Sequence, residues 1–127
     1  MLDMDHFKSV NDTNDHLFGS FVLKEVGEII RNTIREVDFA ARYGGDEFLI
    51  ILTETNEHGT KIFCERLMMN IKAHTFDDGK NKIRLTVSIG FATLNGPQPV
   101  TDARQLVRHA DHALYRAKTA GRDQVSD

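Results

Sequence analysis

At 127 residues, with 40% hydrophobic and 28% charged residues, the chain fits one soluble globular domain with a single core, and no second domain is needed. A net charge of −3, without any Lys/Arg run or basic–aromatic interleaving, argues against a nucleic-acid or membrane surface as partner. The single cysteine, Cys64, cannot form an internal disulfide, no apolar run approaches the roughly 18 residues of a membrane helix, and Met1 leads directly into strand-like and acidic residues rather than a basic, apolar leader, so the expected location is a reducing cytoplasm.

Residues 1–5 alternate, with Leu2 and Met4 on one face and Asp3 and Asp5 on the other, as in a short strand. Residues 6–14 read as a short helix or turn. Between 19 and 35, Val22, Val26, Ile29, Ile30 and Ile34 recur at three- and four-residue spacing, which predicts an amphipathic helix with Lys24, Glu25, Glu28 and Arg31 outward. Residues 37–41 and 49–52 are apolar and strand-like, and Arg42-Tyr43-Gly44-Gly45-Asp46-Glu47-Phe48 between them predicts a hairpin tip. Two adjacent glycines can take positive φ and leave no Cβ in the way of a bulky anionic ligand. Ile62, Phe63, Leu67 and Ile71 predict a helix over 57–74, with Cys64 a small core residue, ending at the Asp77-Asp78-Gly79 turn. Residues 83–94 alternate as a strand until Gly96-Pro97-Gln98-Pro99 breaks it. Thr101 or Asp102 can cap a last helix whose buried stripe is Leu106, Ala110, Ala113, Leu114 and Ala117. This order of elements predicts an α+β domain in which helices cover a central antiparallel sheet.

Chemistry concentrates at the hairpin tip. Asp46 and Glu47 beside a phosphate would repel it unless a hard cation lay between, so a magnesium-bridged nucleotide fits there, while an ordinary exposed turn is the competing reading. His109 and His112 flank Asp111 on one predicted helical face, but no second ligand cluster accompanies them, and a zinc site is not expected.

Three separated stretches carry a resemblance: Asp3-Met4-Asp5-His6-Phe7-Lys8-Ser9-Val10-Asn11-Asp12, then Gly44-Gly45-Asp46-Glu47-Phe48, then Ala113-Leu114-Tyr115-Arg116-Ala117-Lys118, with Ser88-Ile89-Gly90 before the last. In this order they resemble the GGDEF domain, the bacterial diguanylate cyclase, from Leu2 to about Val125. The resemblance implies a single GGDEF domain over 1–127 with a ferredoxin-like palm, similar to those of adenylyl cyclases and polymerases. Family members carry a helix and a pocket-closing segment ahead of the first strand, so the chain resembles a domain cut at that strand. The resemblance also implies Mg2+, with Mn2+ as an alternative, held by Asp3, the backbone carbonyl of Met4 and Asp46. Asp46 or Glu47 would help remove a proton from a ribose 3′-OH, and Asp5 is a weaker candidate.

Further by resemblance, Lys8, Lys118 and Arg122 match positions that hold the β- and γ-phosphates, and Phe7, Asn11, Ser20, Gly44 and Gly45 complete the nucleotide site. His16 belongs to the pocket wall. Asp15 stands where the family has a glycine, which aspartate can replace in left-handed backbone. Ser20 stands where the family has the aspartate that reads guanine; its hydroxyl can donate or accept, which admits ATP beside GTP and resembles hybrid enzymes making cyclic GMP-AMP. Arg35, Asp38 and Arg66 match a product-inhibition site for c-di-GMP, which guanidinium groups can clamp and stack upon. The implied activity condenses two nucleoside triphosphates into a 3′,5′-cyclic dinucleotide, each domain of a homodimer supplying one nucleotide. The alternatives are a non-catalytic c-di-GMP-binding module acting through Arg35, Asp38 and Arg66, or a purely structural fragment. Persistence of Asp3, Gly44, Gly45, Asp46 and Glu47 favours catalysis.

Overall fold

The computed structural model describes residues 1–13 and 15–127; Asn14, the last residue of the predicted first turn, lies outside them. The elements are β1 (Leu2–Met4), α1 (Phe7–Thr13), α2 (His16–Thr33), β2 (Phe39–Arg42), β3 (Glu47–Ile51), α3 (Glu57–Ala73), β4 (Phe76–Asp77), β5 (Lys82–Ile83), β6 (Val87–Gly90), α4 (Ala103–Thr119) and β7 (Val125–Ser126). Five strands form one sheet in the order β2-β3-β1-β6-β7, and β4-β5 form a separate ribbon. β1 is antiparallel to β3 and β6, with Leu2 opposite Phe48 and Ile89, and among the described strands only β7 runs parallel to its neighbour. Helices cover this mainly antiparallel sheet, as the sequence predicts. No helix among the described residues is long and apolar enough to cross a membrane.

Alternation in β1 sorts the core. Leu2 and Met4 join Phe18, Val22, Val26, Leu67 and Ile71 from α2 and α3, whereas Met1 packs with Ala110 and Leu114 of α4 on the other face. Asp3 and Asp5 share the other face, where Lys118 of α4 meets Asp3 and Thr86, Ser88 and the loop after α4 meet Asp5: both are nearly as buried as the leucine, at 6% and 5% exposed.

Several expected boundaries shift for identifiable reasons. α2 begins at His16 rather than Gly19, because Asp15 is its N-cap: its backbone is extended (φ −78°) and its carboxylate accepts from Phe18 N at 2.8 Å. Asp15 is thus not in left-handed backbone. The predicted 37–41 strand becomes Phe39–Arg42, an edge strand with every residue exposed, and Phe39 pairs with Ile51, which is also exposed. In α3 the buried stripe is Thr60, Phe63, Cys64, Leu67 and Ile71, while Ile62 is half exposed. The 83–94 strand divides: Ile83 pairs with Phe76 across the 77–79 turn, and the central strand is only Val87–Gly90. Asp102, rather than Thr101, caps α4 by accepting from Gln105 N at 2.9 Å. The stripe Ala110, Ala113, Leu114 and Ala117 is buried as expected, with Leu106 only partly so. β7 has no sequence signal; it is two residues long and is held by pairing with β6.

Backbone meets backbone closely where β6 faces α4. A Cβ on Gly90 would fall 2.0 Å from Leu114 N and 2.4 Å from Ala110 O, so only glycine admits the helix at this distance. Gly90→Ala should therefore lose about 3 kcal/mol, the upper range of overpacking, and melt roughly 10 °C lower. Thermal and denaturant unfolding check this, and a variant within 1 kcal/mol of the parent would contradict the close packing.

Candidate active site

The hairpin tip is carried to Asp3 by the sheet. Asp3 lies opposite Glu47 in the β1–β3 ladder, and Met4 N donates to Asp46 O at 3.3 Å. From the other side α4 delivers Lys118, whose Nζ donates to Asp3 Oδ2. Asp3 Oδ1 is buried and has no partner. Burial pushes the Asp3 carboxyl up; the hydrogen bond from Lys118 opposes this and the charge of Asp46 adds to it, for a value of about 6. For Lys118 burial works against the charge, but its bond to Asp3 and the nearby Asp3, Glu47 and Asp46 charges more than offset it, leaving the ammonium above its ordinary value.

These features fit a divalent cation. A buried carboxylate oxygen lacks a partner, a second carboxylate raises the cost of its charge, and the Met4 amide ties β1 to the backbone of that second acid. Among the described residues no group of three or more His, Cys, Asp or Glu side chains converges. Two carboxylates and a carbonyl would leave several positions to phosphate oxygens and water, as magnesium prefers.

Beside Asp46 opens a cleft of about 430 Å³ lined by Phe7, Lys8, Asn11, His16, Gly19, Ser20, Leu23, Arg42, Gly45 and Asp46. The structure thus gathers Phe7, Lys8, Asn11, Ser20, Gly45 and Asp46 around one space, with His16 in the wall as expected. Asn11 owes its place to Gly19: a Cβ there would sit 1.8 Å from Asn11 Oδ1. A smaller cavity of about 140 Å³, lined by Phe91, Ala92, His109 and Arg116 among others, contains none of the predicted site residues.

The glycines serve differently from expectation. Positive φ among glycines occurs at Gly79 and Gly121, not at Gly44 or Gly45. Around Gly45 a Cβ would meet nothing within 4 Å, and at Gly44 only Glu47 Oε2 at 3.9 Å, so their value is open approach rather than turn geometry. Arg42, which sequence reasoning missed, ties the tip: its Nε and Nη2 donate to Gly45 O at 3.0 and 2.7 Å. The available signal was a guanidinium two and three residues before two carbonyls that an exposed tip leaves without strand partners. Leu23 was also missed, although it follows Ser20 and Gly19 at helical spacing.

Other predicted residues lie outside the cleft lining. Lys118 is engaged with Asp3, Glu47 is half-buried in β3, and Arg122 sits exposed in the loop after α4 with φ +64°. Asp5 is a buried acceptor rather than a free carboxylate: Thr86 Oγ1 and Ser88 Oγ each donate to it at 2.7 Å, and Asp123 N at 3.1 Å.

Arg35 and Asp38 form a loop clamp. Arg35 Nε and Nη2 donate to Asp38 Oδ2 and Oδ1 at 3.1 and 2.9 Å, and Nη2 also reaches Thr53 O and Thr55 Oγ1. Asp38, almost wholly buried, further accepts from Arg35 N and Thr53 N. Arg66 is exposed on α3, its guanidinium 5.8 Å from the Phe63 ring centre.

The helix-covered, mainly antiparallel sheet, with acidic residues of β1 and of the β2–β3 tip brought to one end beside a cleft, has the architecture of palm-like domains. The chain belongs to the GGDEF family: the family model described as "Diguanylate cyclase, GGDEF domain" matches residues 1–124. It is 38% identical over 126 residues to diguanylate cyclase A of Treponema denticola, covering 99% of this chain and 33% of that protein. It is also 38% identical over 126 residues to diguanylate cyclase DosC of Escherichia coli K12, covering 98% of this chain and 27% of that one. The chain therefore spans a third or less of the length of these curated relatives. Among solved structures, the GGDEF domain of DgcB from Caulobacter crescentus in complex with c-di-GMP superposes with a TM-score of 0.88 at 32% identity, over 98% of this chain and 73% of that one. Diguanylate cyclase SiaD of Pseudomonas aeruginosa, solved with its activator SiaC, gives 0.88 at 34% identity, over 98% and 46%.

The clamp gives a pH prediction. The Arg35 bond is the largest of the influences that hold the Asp38 carboxyl down at about 2, so its stabilisation is complete above the ordinary aspartate value of about 3.9 and is lost as pH falls through about 2. Asp38→Asn should be less stable than the parent at pH 7, with the gap closing between pH ~4 and ~2 in denaturant titrations. A gap constant over that range would contradict the assignment.

Proposed function

We propose that the chain is the catalytic domain of a cytoplasmic nucleotidyltransferase that condenses two nucleoside triphosphates into a 3′,5′-cyclic dinucleotide and releases pyrophosphate. The observation that carries this is the partnerless buried oxygen of Asp3 beside Asp46 at the edge of the cleft. Asp3, the Met4 carbonyl and Asp46 would hold Mg2+ or Mn2+, which supplies charge neutralisation at the phosphates when bound. Phe7, Asn11, Ser20, Gly44 and Gly45 seat the nucleotide. The 3′-OH of one nucleotide attacks the α-phosphate of the other; the new P–O bond forms as the α–β bridging bond breaks. Asp46 or Glu47 receives the proton at the 3′-oxygen, and Lys8, Lys118 and Arg122 offset the charge that develops on the leaving pyrophosphate. Each domain supplies one nucleotide, so catalysis needs a homodimer. Arg35, Asp38 and Arg66 form an inhibitory site for c-di-GMP; support comes from the DgcB domain, solved in complex with that dinucleotide.

Ser20 lines the cleft where the family's guanine-reading aspartate would stand. Guanine N1 and N2 donate to a carboxylate, whereas adenine N1 is an acceptor that a carboxylate repels. Serine satisfies either base and gives up a charge-assisted bond of about 1.5–3 kcal/mol, a loss of roughly 10- to 100-fold in discrimination. The protein thus accepts ATP beside GTP and makes cyclic GMP-AMP as well as c-di-GMP. With equal ATP and GTP and Mg2+, products resolved by mass should be mixed, collapsing to c-di-GMP in Ser20→Asp. Exclusive c-di-GMP in both would contradict the role of Ser20. Tight c-di-GMP binding with no dinucleotide formed would replace the enzyme by a binding module.

A further inference from the structure

Gly121, Arg122 and Asp123 take φ values of +118°, +64° and +48° in succession. Two of them carry side chains in a backbone region that L residues disfavour, so something outside the loop must hold it. Two contacts do. Asp123 N donates to Asp5 Oδ2 at 3.1 Å, and the Asp123 carboxylate takes Lys72 Nζ of α3 at 2.6 Å. Asp5 is itself immobile: buried to 5% exposure, it accepts from Thr86 and Ser88, and its own amide donates to Thr86 O at 2.9 Å. A fully bonded carboxylate two residues from Asp3 thus helps to fix the loop that follows α4, whose last turn carries Lys118.

We propose that Asp5 is a positioning residue for the triphosphate end of the nucleotide: by capturing the Asp123 amide it holds the loop after α4 in its left-handed course and so sets Arg122 and the last turn of α4 with respect to Asp3. This rests on the reading of Arg122 and Lys118 as phosphate-binding groups. Asp5 touches neither metal nor substrate; it acts through the loop. Asparagine in its place keeps the volume but has a single acceptor oxygen for three donors, and the loop amide competes with two hydroxyls for it.

The probe is magnesium pyrophosphate, which has no base or sugar, and the control is GMP, which has no β- or γ-phosphate; both are titrated calorimetrically into the full chain. Asp5→Asn should bind magnesium pyrophosphate about tenfold more weakly than the parent, one lost charge-assisted contact, with GMP affinity within twofold. Ser88→Ala keeps the Asp5–Asp123 bond and should lower the melting temperature without changing pyrophosphate binding. Gly121→Ala cannot hold φ +118° and meets no atom closer than 3.9 Å, so it disturbs the loop alone and should weaken pyrophosphate as Asp5→Asn does. Pyrophosphate affinity unchanged in Asp5→Asn while Arg122→Ala is weakened would overturn the positioning role, as would equal loss of pyrophosphate and GMP. No effect of Arg122→Ala would overturn the phosphate reading beneath it. If Asp5→Asn does not fold, Gly121→Ala decides, and unchanged pyrophosphate binding there overturns the proposal.

Discussion

A carboxylate enclosed between two strands and a helix, with one lysine for two oxygens, is the constraint around which this domain is arranged. Asp3 reaches its position because β1 is the middle strand, and it is covered because Gly90 and the alanines of α4 let that helix approach the sheet closely enough for Lys118 to meet it. The same packing that stabilises the core removes water from the carboxylate. Burial prevails over the lysine, as the carboxyl's rise to about 6 records, and the fold without a cation therefore holds an unfavourable charge at neutral pH. The proposed cation and phosphates would offset that cost.

The acidic tip must then be brought to Asp3 by a hairpin that contributes little to the core. Every residue of β2 is exposed, so its place depends on the ladder with β3 and on two guanidinium groups. Arg35 joins the start of the hairpin to its end through Asp38, Thr53 and Thr55. Arg42 closes the tip by binding the glycine carbonyls. With both ends fixed, Asp46 can stand in an open, Cβ-free turn and still keep its distance from Asp3.

Much of this was legible in the amino-acid order. Alternation at residues 1–5 assigned Leu2 and Met4 to one face and the acids to the other, and the resemblance named Phe7, Lys8, Asn11, Ser20, Gly45 and Asp46, which lie around one cleft. Alternation could not show that Asp3 and Asp5 are buried, because the residues that cover them are distant in sequence: Lys118 on α4 for Asp3, and Thr86, Ser88 and the loop after α4 for Asp5. Apolar composition could not tell edge from centre: Phe39, Ile51 and Ile62 belong to the apolar patterns that predicted strands and a helix, and all three are exposed. β7 is set by tertiary pairing alone. Asp15 and Arg42 act by bonding to nearby backbone, which pattern matching to a family glycine or a hairpin does not reveal.

The central claim is that Asp3 is kept charged in a buried place for the sake of a cation, at the expense of the empty fold. Thermal unfolding of the parent and of Asp3→Asn near pH 7.5, first in chelator and then in excess Mg2+, tests it most directly. In chelator Asp3→Asn should melt higher by several degrees, since it loses a buried charge and keeps its volume; Mg2+ should raise the parent's melting temperature and leave the variant's unchanged. A variant that melts lower than the parent in chelator, or that gains as much from Mg2+, would contradict the account.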